Sequence, residues 1–221
     1  MNTRLREKSE AKLTETRQKL MDDAGARQQD MSSLREVIRD SLTLHSPPKS
    51  MYSQSNAFRF PSMSTVSLTG DEVELKKDGL FSEDQWTLLG LSGNQLAQPM
   101  VDSWLESASA WSGPAGQQVQ VRWLSVVDHP LLSWFRRPLL ASMRLSVSSA
   151  RHASFLCHFG DARSARATMQ MQNRYLGYVC LVDPEGVVRW HVHGNEQPTE
   201  AELATFTNLV QKAIQKPKAK Q

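Results

Sequence analysis

Hydrophobic positions change their period several times along this chain, and each change predicts an element. Residues 2–45 are charged, with apolar side chains sparse until Leu34, Val37, Ile38 and Leu42, which fall on one helical face. A helical extension over 1–45, partly solvated, is the expectation. His45-Ser46-Pro47-Pro48 ends it, because proline does not fit a helix interior, and 46–59 reads as a polar linker. A domain then runs over 60–216, followed by a basic tail at 217–221. It opens on Phe60-Pro61 and a hairpin over Thr65 to Leu75 with Gly70-Asp71 near its turn.

Trp86 to Leu91 is a short apolar run of the kind buried on both faces of a sheet. Ala97, Met100, Val101, Trp104, Ala108 and Trp111 recur at helical spacing, and Val119 to Val127 is again strand-like. Leu131 to Met143 has a helical pattern that Pro138 must kink or restart. Ala153 to Phe159 reads as extended, and Ala162 to Met171 as a short helix. Tyr178 to Val182 and Val187 to Val192 flank Asp183-Pro184-Glu185-Gly186, where Pro presets φ and Gly permits the turn, so they form a hairpin. Thr199 followed by Glu202 is a capping box for a last helix with Leu203, Phe206, Val210 and Ile214 on its apolar face.

Parallel strands joined by a helix, then an antiparallel hairpin and a closing helix, are the thioredoxin plan. The predicted fold class is therefore α/β: a thioredoxin-like (peroxiredoxin-like) mixed sheet flanked by helices, with an N-terminal helical extension.

Composition narrows the chemistry. Mean hydropathy of −0.47 with 39% hydrophobic residues suits a domain plus a solvated segment. Two cysteines, Cys157 and Cys180, make no disulfide framework, and no CxxC or CxxH pair offers a zinc site. No apolar run approaches the length of a membrane span. The first residues mix Arg4, Arg6 and Lys8 with Glu7, Glu10 and Glu15, which matches neither an acid-poor presequence nor a secretory signal. Net charge is +3 but uneven. Residues 61–118 carry eight acids against Lys76 and Lys77, whereas 119–180 carry eight arginines against Asp128 and Asp161. Arginine alone favours bidentate contact with carboxylate or phosphate. Nucleic-acid binding would also need exposed aromatics among the basics, and Trp123, Trp134, Phe135, Phe155 and Phe159 sit in apolar patterns that read as core.

Enzymes on the thioredoxin plan place a nucleophilic cysteine at the start of the helix after the first central strand, where the helix N-terminus favours thiolate. Here that loop reads Ser92-Gly93-Asn94-Gln95-Leu96-Ala97-Gln98, without cysteine. They also set a cis-proline before the hairpin, and the approach here, Gln172 to Tyr178, has no proline. Cys180 reads as a buried core residue. Cys157 adjoins His158, but strand neighbours point to opposite faces, so adjacency makes no dyad. His191 and His193 share a strand face and form a conceivable metal pair, with His152 and His158 as further ligands and no carboxylate to complete it. No GxSxG elbow or glycine-rich phosphate loop is present. The sequence nominates no catalytic, cofactor or metal residue, and no small-molecule substrate.

Phe60-Pro61, Leu68, Gly70, the Trp86 strand, Trp104 and the Val119–Val127 strand lead up to a longer motif. Asn173, Gly177-Tyr178-Val179, Leu181-Val182-Asp183, Gly186, Arg189-Trp190 and Gly194 follow in fixed spacing. Over about 58–214 this resembles the mitochondrial ATP synthase assembly factors of the ATPase-subunit-ten family. The hairpin alone is shared with peroxiredoxin-like proteins, and Arg189-Trp190, the missing cysteine and the Phe60-Pro61 opening taken together make it specific. The resemblance implies a non-catalytic chaperone that helps membrane subunit a of the ATP synthase join the rotor ring. It implies a place peripheral to the inner membrane, on the matrix side of the mitochondrion. Arg189, Trp190, Asn173 and Gly194 become the candidate partner-binding residues. Asn195-Glu196-Gln197-Pro198 departs from the family's short link, and the acid-containing start is not a plain presequence, which leaves open a divergent member serving as a structural subunit of another large mitochondrial complex, a ribosome or respiratory assembly. A separate alternative, from another class, is a thiol peroxidase or reductase relocated to Cys157.

Overall fold

A computed structural model describes residues 47–53, 55–81, 85–92, 97–109, 118–128, 134–171, 173, 175–194 and 196–215. The extension over 1–45, Gly93 to Leu96, Trp111, the start of the Leu131 pattern and the 217–221 tail lie outside them.

The strands are β1 (Phe58–Arg59), β2 (Met63–Ser67), β3 (Glu72–Leu75), β4 (Trp86–Ser92), β5 (Val119–Val127), β6 (Phe155–Phe159), β7 (Gly177–Val182) and β8 (Val187–Gly194). The helices are α1 (Gln98–Ser109), α2 (Arg136–Ser146), α3 (Arg163–Thr168) and α4 (Glu200–Gln215). One sheet takes all eight strands in the order β1-β8-β7-β4-β5-β6-β2-β3. β4, β5 and β6 run parallel, and β7 and β8 return antiparallel. Each predicted strand is present within a residue or two. The pairing adds a third parallel strand, β6, which in turn accepts the β2–β3 hairpin at the far edge. Pro138 sits in the first turn of α2, where its missing N–H has no intrahelical partner to lose, so the helix starts beside it rather than kinking.

The centre is apolar because β4 and β7 are covered on both faces: Leu88, Leu89, Leu91, Val179, Leu181 and Val182 are all buried. Helix α1 approaches β4 very closely. A Cβ built on Gly90 would lie 2.5 Å from both Val101 Cγ1 and Leu105 Cδ1, so only glycine fits there. On the same face Trp104, Trp190 and Phe206 meet from α1, β8 and α4, with ring centroids 5.3, 5.4 and 4.3 Å apart. Helix α4 starts at the expected capping box: Thr199 N–H donates to Glu202 Oε2 at 2.8 Å, and Glu202 N–H to Thr199 Oγ1 at 3.3 Å.

The polar stretch read as a linker is, from Pro47 onward, laid along the outer edge of β8. Tyr52 N–H donates to Arg189 O at 2.7 Å, and Phe58 and Arg59 pair with Val188 and Val187. An uncovered edge strand leaves a row of unpaired backbone groups, and this segment covers them.

Candidate functional site

Alternation along β8 separates the residues that the motif named. Val188, Trp190, Val192 and Gly194 point into the α1–α4 core, while Val187, Arg189, His191 and His193 take the other face and are half-buried. Trp190 is fully buried, and its indole Nε1 donates to Pro48 O at 3.0 Å. Gly194 is buried where it pairs with Gly177, and Gly177 itself sits against Val101 of α1 and the carbonyl of Ala97 just before it. Asn173 is buried too, and it shapes the approach to β7. Its Oδ1 accepts from Tyr175 N–H at 2.9 Å, and its carbonyl accepts the Tyr178 hydroxyl at 3.0 Å. The four residues thus do not gather into one patch, and of them Arg189 alone reaches toward solvent.

On the second face of β7 and β8 the histidines stack, with the His191 and His193 rings 5.9 Å apart and 14° from parallel. Tyr178 stacks on His193 at 5.3 Å, and the Tyr52 hydroxyl lies in a hydrogen bond with His191 Nδ1 at 2.9 Å. The shared face expected for this pair is present. Among the described residues no group of three His, Cys, Asp or Glu is placed to hold a metal. His152 and His158 are held elsewhere, on the carbonyls of Val147 and Ser64.

The ends of β4 and β5 are where thioredoxin-like enzymes do their chemistry. Here Leu91, Ser92, Val126, Asp128, Arg166, Met171, Leu176 and Tyr178 surround a cavity of about 60 Å³. Organic ligands fill pockets of roughly 300–1,000 Å³, so this space is water-sized. Its wall is an ion pair between Arg166 of α3 and Asp128 at the end of β5. Ser92 Oγ donates to Gln98 Oε1 at 2.9 Å, and Asp102 Oδ1 accepts from both Gln98 and Trp123. Burial pushes the Tyr178 hydroxyl up to about 12, so it stays protonated and donating. Nothing local in the sequence announced the Asp128–Arg166 pair, whose partners stand 38 residues apart.

Both thiols are buried. Cys157 is buried with its Sγ 3.5 Å from Met143 Sδ, and burial pushes its thiol up to about 12 despite Arg136 and Arg144 nearby. Cys180 lies mid-strand opposite Leu89 and His191, and burial alone raises it to about 12. A thiol with a pKa near 12 carries almost no thiolate at neutral pH. The adjacent His158 bonds Ser64 O instead of Cys157, as strand alternation requires.

Parallel β4-α1-β5-α2-β6 followed by the β7–β8 hairpin and α4, with a hairpin strand pair on the far edge, defines a thioredoxin-like domain. Within that class the chain belongs to the ATP10 protein family, whose profile matches residues 2–212 and so takes in the N-terminal extension that the motif alone had left outside. It is 30% identical over 86 residues to the mitochondrial ATPase complex subunit ATP10 of Eremothecium gossypii, a match covering 38% of this chain and 32% of that protein. The chain therefore spans about a third of the curated relative. A secreted thiol-disulfide isomerase from Corynebacterium glutamicum superposes with a TM-score of 0.48 at 14% identity, over 77% of this chain and 98% of its own. BsSco, of the Sco family of cytochrome c oxidase assembly proteins, gives 0.46 at 14% over 71% and 94%.

Proposed function

We propose that this protein is a non-catalytic assembly factor of the mitochondrial ATP synthase. It acts as a chaperone of the membrane sector, where subunit a joins the rotor ring, from the matrix side of the inner membrane. The observation that carries the reading is the family match over residues 2–212 in a chain whose two thiols are both buried and protonated. The relative's name supplies the complex and the compartment. Among the described residues no helix is long and apolar enough to cross a membrane, which agrees with a peripheral position.

Partner contact is assigned to β8 through Arg189, the motif residue with a side chain toward solvent. Trp190, Asn173 and Gly194 hold the strand and its approach in register rather than touching the partner themselves. Affinity purification of the tagged full chain from mitochondria in mild detergent tests the reading. Recovery of subunit a or its rotor-ring neighbours is expected, and recovery without any ATP synthase subunit would overturn it.

A further inference from the structure

Helix α2 is held to the domain along one side. Leu140 is buried, Leu139 and Met143 are half-buried, and Arg144 Nε donates to Leu68 O at 2.5 Å. Its solvent side does not match the rest of the surface. Trp134 is 90% exposed, Phe135 59% and Leu145 91%, and these are the exposed large hydrophobic side chains among the described residues. Pro138, Ala141 and Leu145, at i, i+3 and i+7, are all exposed and so form one stripe, with Trp134 a turn ahead of it. Scattered exposed apolar residues need no explanation, but three large ones within twelve consecutive positions do.

The charges beside this stripe have a single sign. Helix α2 carries Arg136, Arg137 and Arg144, all exposed, and from Asp128 to Asp161 the chain has four arginines with no acid between. Those two aspartates are already engaged, by Arg166 and Arg163. Arg137 and Arg144, seven apart, border the same stripe. The Arg136 guanidinium lies 5.6 Å over the Phe159 ring, keeping its charge at the helix start.

We propose that this face of α2 sits in the headgroup layer of an anionic phospholipid bilayer. Trp134, Phe135 and Leu145 enter the acyl boundary and Arg137 meets lipid phosphate, while Arg136 and Arg144, held on the Phe159 ring and Leu68 O, add to the positive field behind it. Aromatic and leucine side chains bordered by arginine are the composition of an interfacial helix. The proposal rests on the membrane-side reading above only for which bilayer is met.

The test is flotation of the full chain with vesicles of phosphatidylcholine alone and of phosphatidylcholine mixed with phosphatidylglycerol. Binding to the anionic vesicles is expected, weakened by added salt. Trp134→Ser should lower the partition coefficient about tenfold through lost apolar burial. Arg137→Gln should lower it by about fivefold. Trp134→Phe should keep binding but lose the blue shift of tryptophan emission. All these side chains are exposed, so an unchanged unfolding midpoint accompanies each variant. No flotation, or flotation indifferent to Trp134→Ser and Leu145→Ser, overturns the proposal. If vesicles are ignored while Trp134→Ser abolishes recovery of ATP synthase subunits, the face docks protein: the lipid contact fails and the assembly role stands. Flotation without recovery of any subunit gives the reverse result.

Discussion

The indole of Trp190 donates to the carbonyl of Pro48 at 3.0 Å across 142 residues of chain, tying the entry segment to the most buried part of the C-terminal hairpin. The same tryptophan packs on Trp104 and Phe206, so one side chain joins β8, α1, α4 and the strap beside them. Trp190→Phe removes the donor and leaves Pro48 O without it. An unfolding free energy lower by about 1–2 kcal/mol is expected from urea titration. Cleavage between residues 47 and 57 should become faster in limited proteolysis. Full stability with unchanged protease resistance would show that the strap is held by β1 pairing alone.

Gly90 marks the tightest approach between the sheet and α1, since Val101 and Leu105 occupy the space a Cβ would need. Gly90→Ala is expected to cost about 1–3 kcal/mol through overpacking. Adding Leu105→Ala should recover part of that loss, because it frees the volume; a double mutant no better than the sum of its singles would rule out the steric cause.

The pair of Arg166 and Asp128 is largely screened from solvent, with side-chain exposures of 22% and 17%. Arg166→Gln leaves Asp128 facing the cavity without its cation, a loss expected at about 1–2 kcal/mol after discounting for residual solvent. Asp128→Asn in the same chain should restore much of it, as measured by a double-mutant cycle.

Alkaline stability follows from burial. The thiols of Cys157 and Cys180 are raised from 9.0 to about 12, and the Tyr178 hydroxyl from 10.0 to about 12. The unfolded chain loses these protons first while the folded chain keeps them, so stability is fully present below about pH 9 and is lost as pH rises toward 12. Both thiols should also resist a disulfide reagent at pH 8 until denaturant is added. Rapid labelling of either in the native state would contradict the buried placement. A Cys157→Ser, Cys180→Ala chain that still recovers ATP synthase subunits would remove the relocated-thiol alternative.

Arg189→Glu tests the partner surface. The side chain lies on the half-buried face of β8, so the reversal should lower recovery of ATP synthase subunits at least severalfold with little change in unfolding midpoint. Equal loss of fold and recovery would make Arg189 a structural residue.

Elements with local causes were legible in the chain. Asp183 Oδ1 accepts from Glu185 and Val187 N–H at 3.0 Å each, and Gly186 takes φ of 74°, as Asp-Pro-Glu-Gly required. Thr199 and Glu202 cap α4 for the same reason: the groups that must meet lie three residues apart. The emptiness of the thiol position could likewise be read directly, at least in its residue types. Trp190 was legible as a motif residue but not as a core one, because period-two alternation assigns faces without saying which face is inside. Trp134 and Phe135 ran the other way: their apolar surroundings read as core, and the packing of α2 on Leu140 and Met143 turned them outward.

By itself, then, the sequence determined the order of strands and helices, the β7–β8 turn, the helix cap and the family, all properties of short-range chemistry and residue identity. Only the tertiary structure decided that 47–59 seals the edge of β8, that Asp128 meets Arg166, and that Trp134 and Phe135, just ahead of α2, face solvent. Those outcomes depend on which distant surfaces exclude water together, and no local pattern of residues encodes that choice.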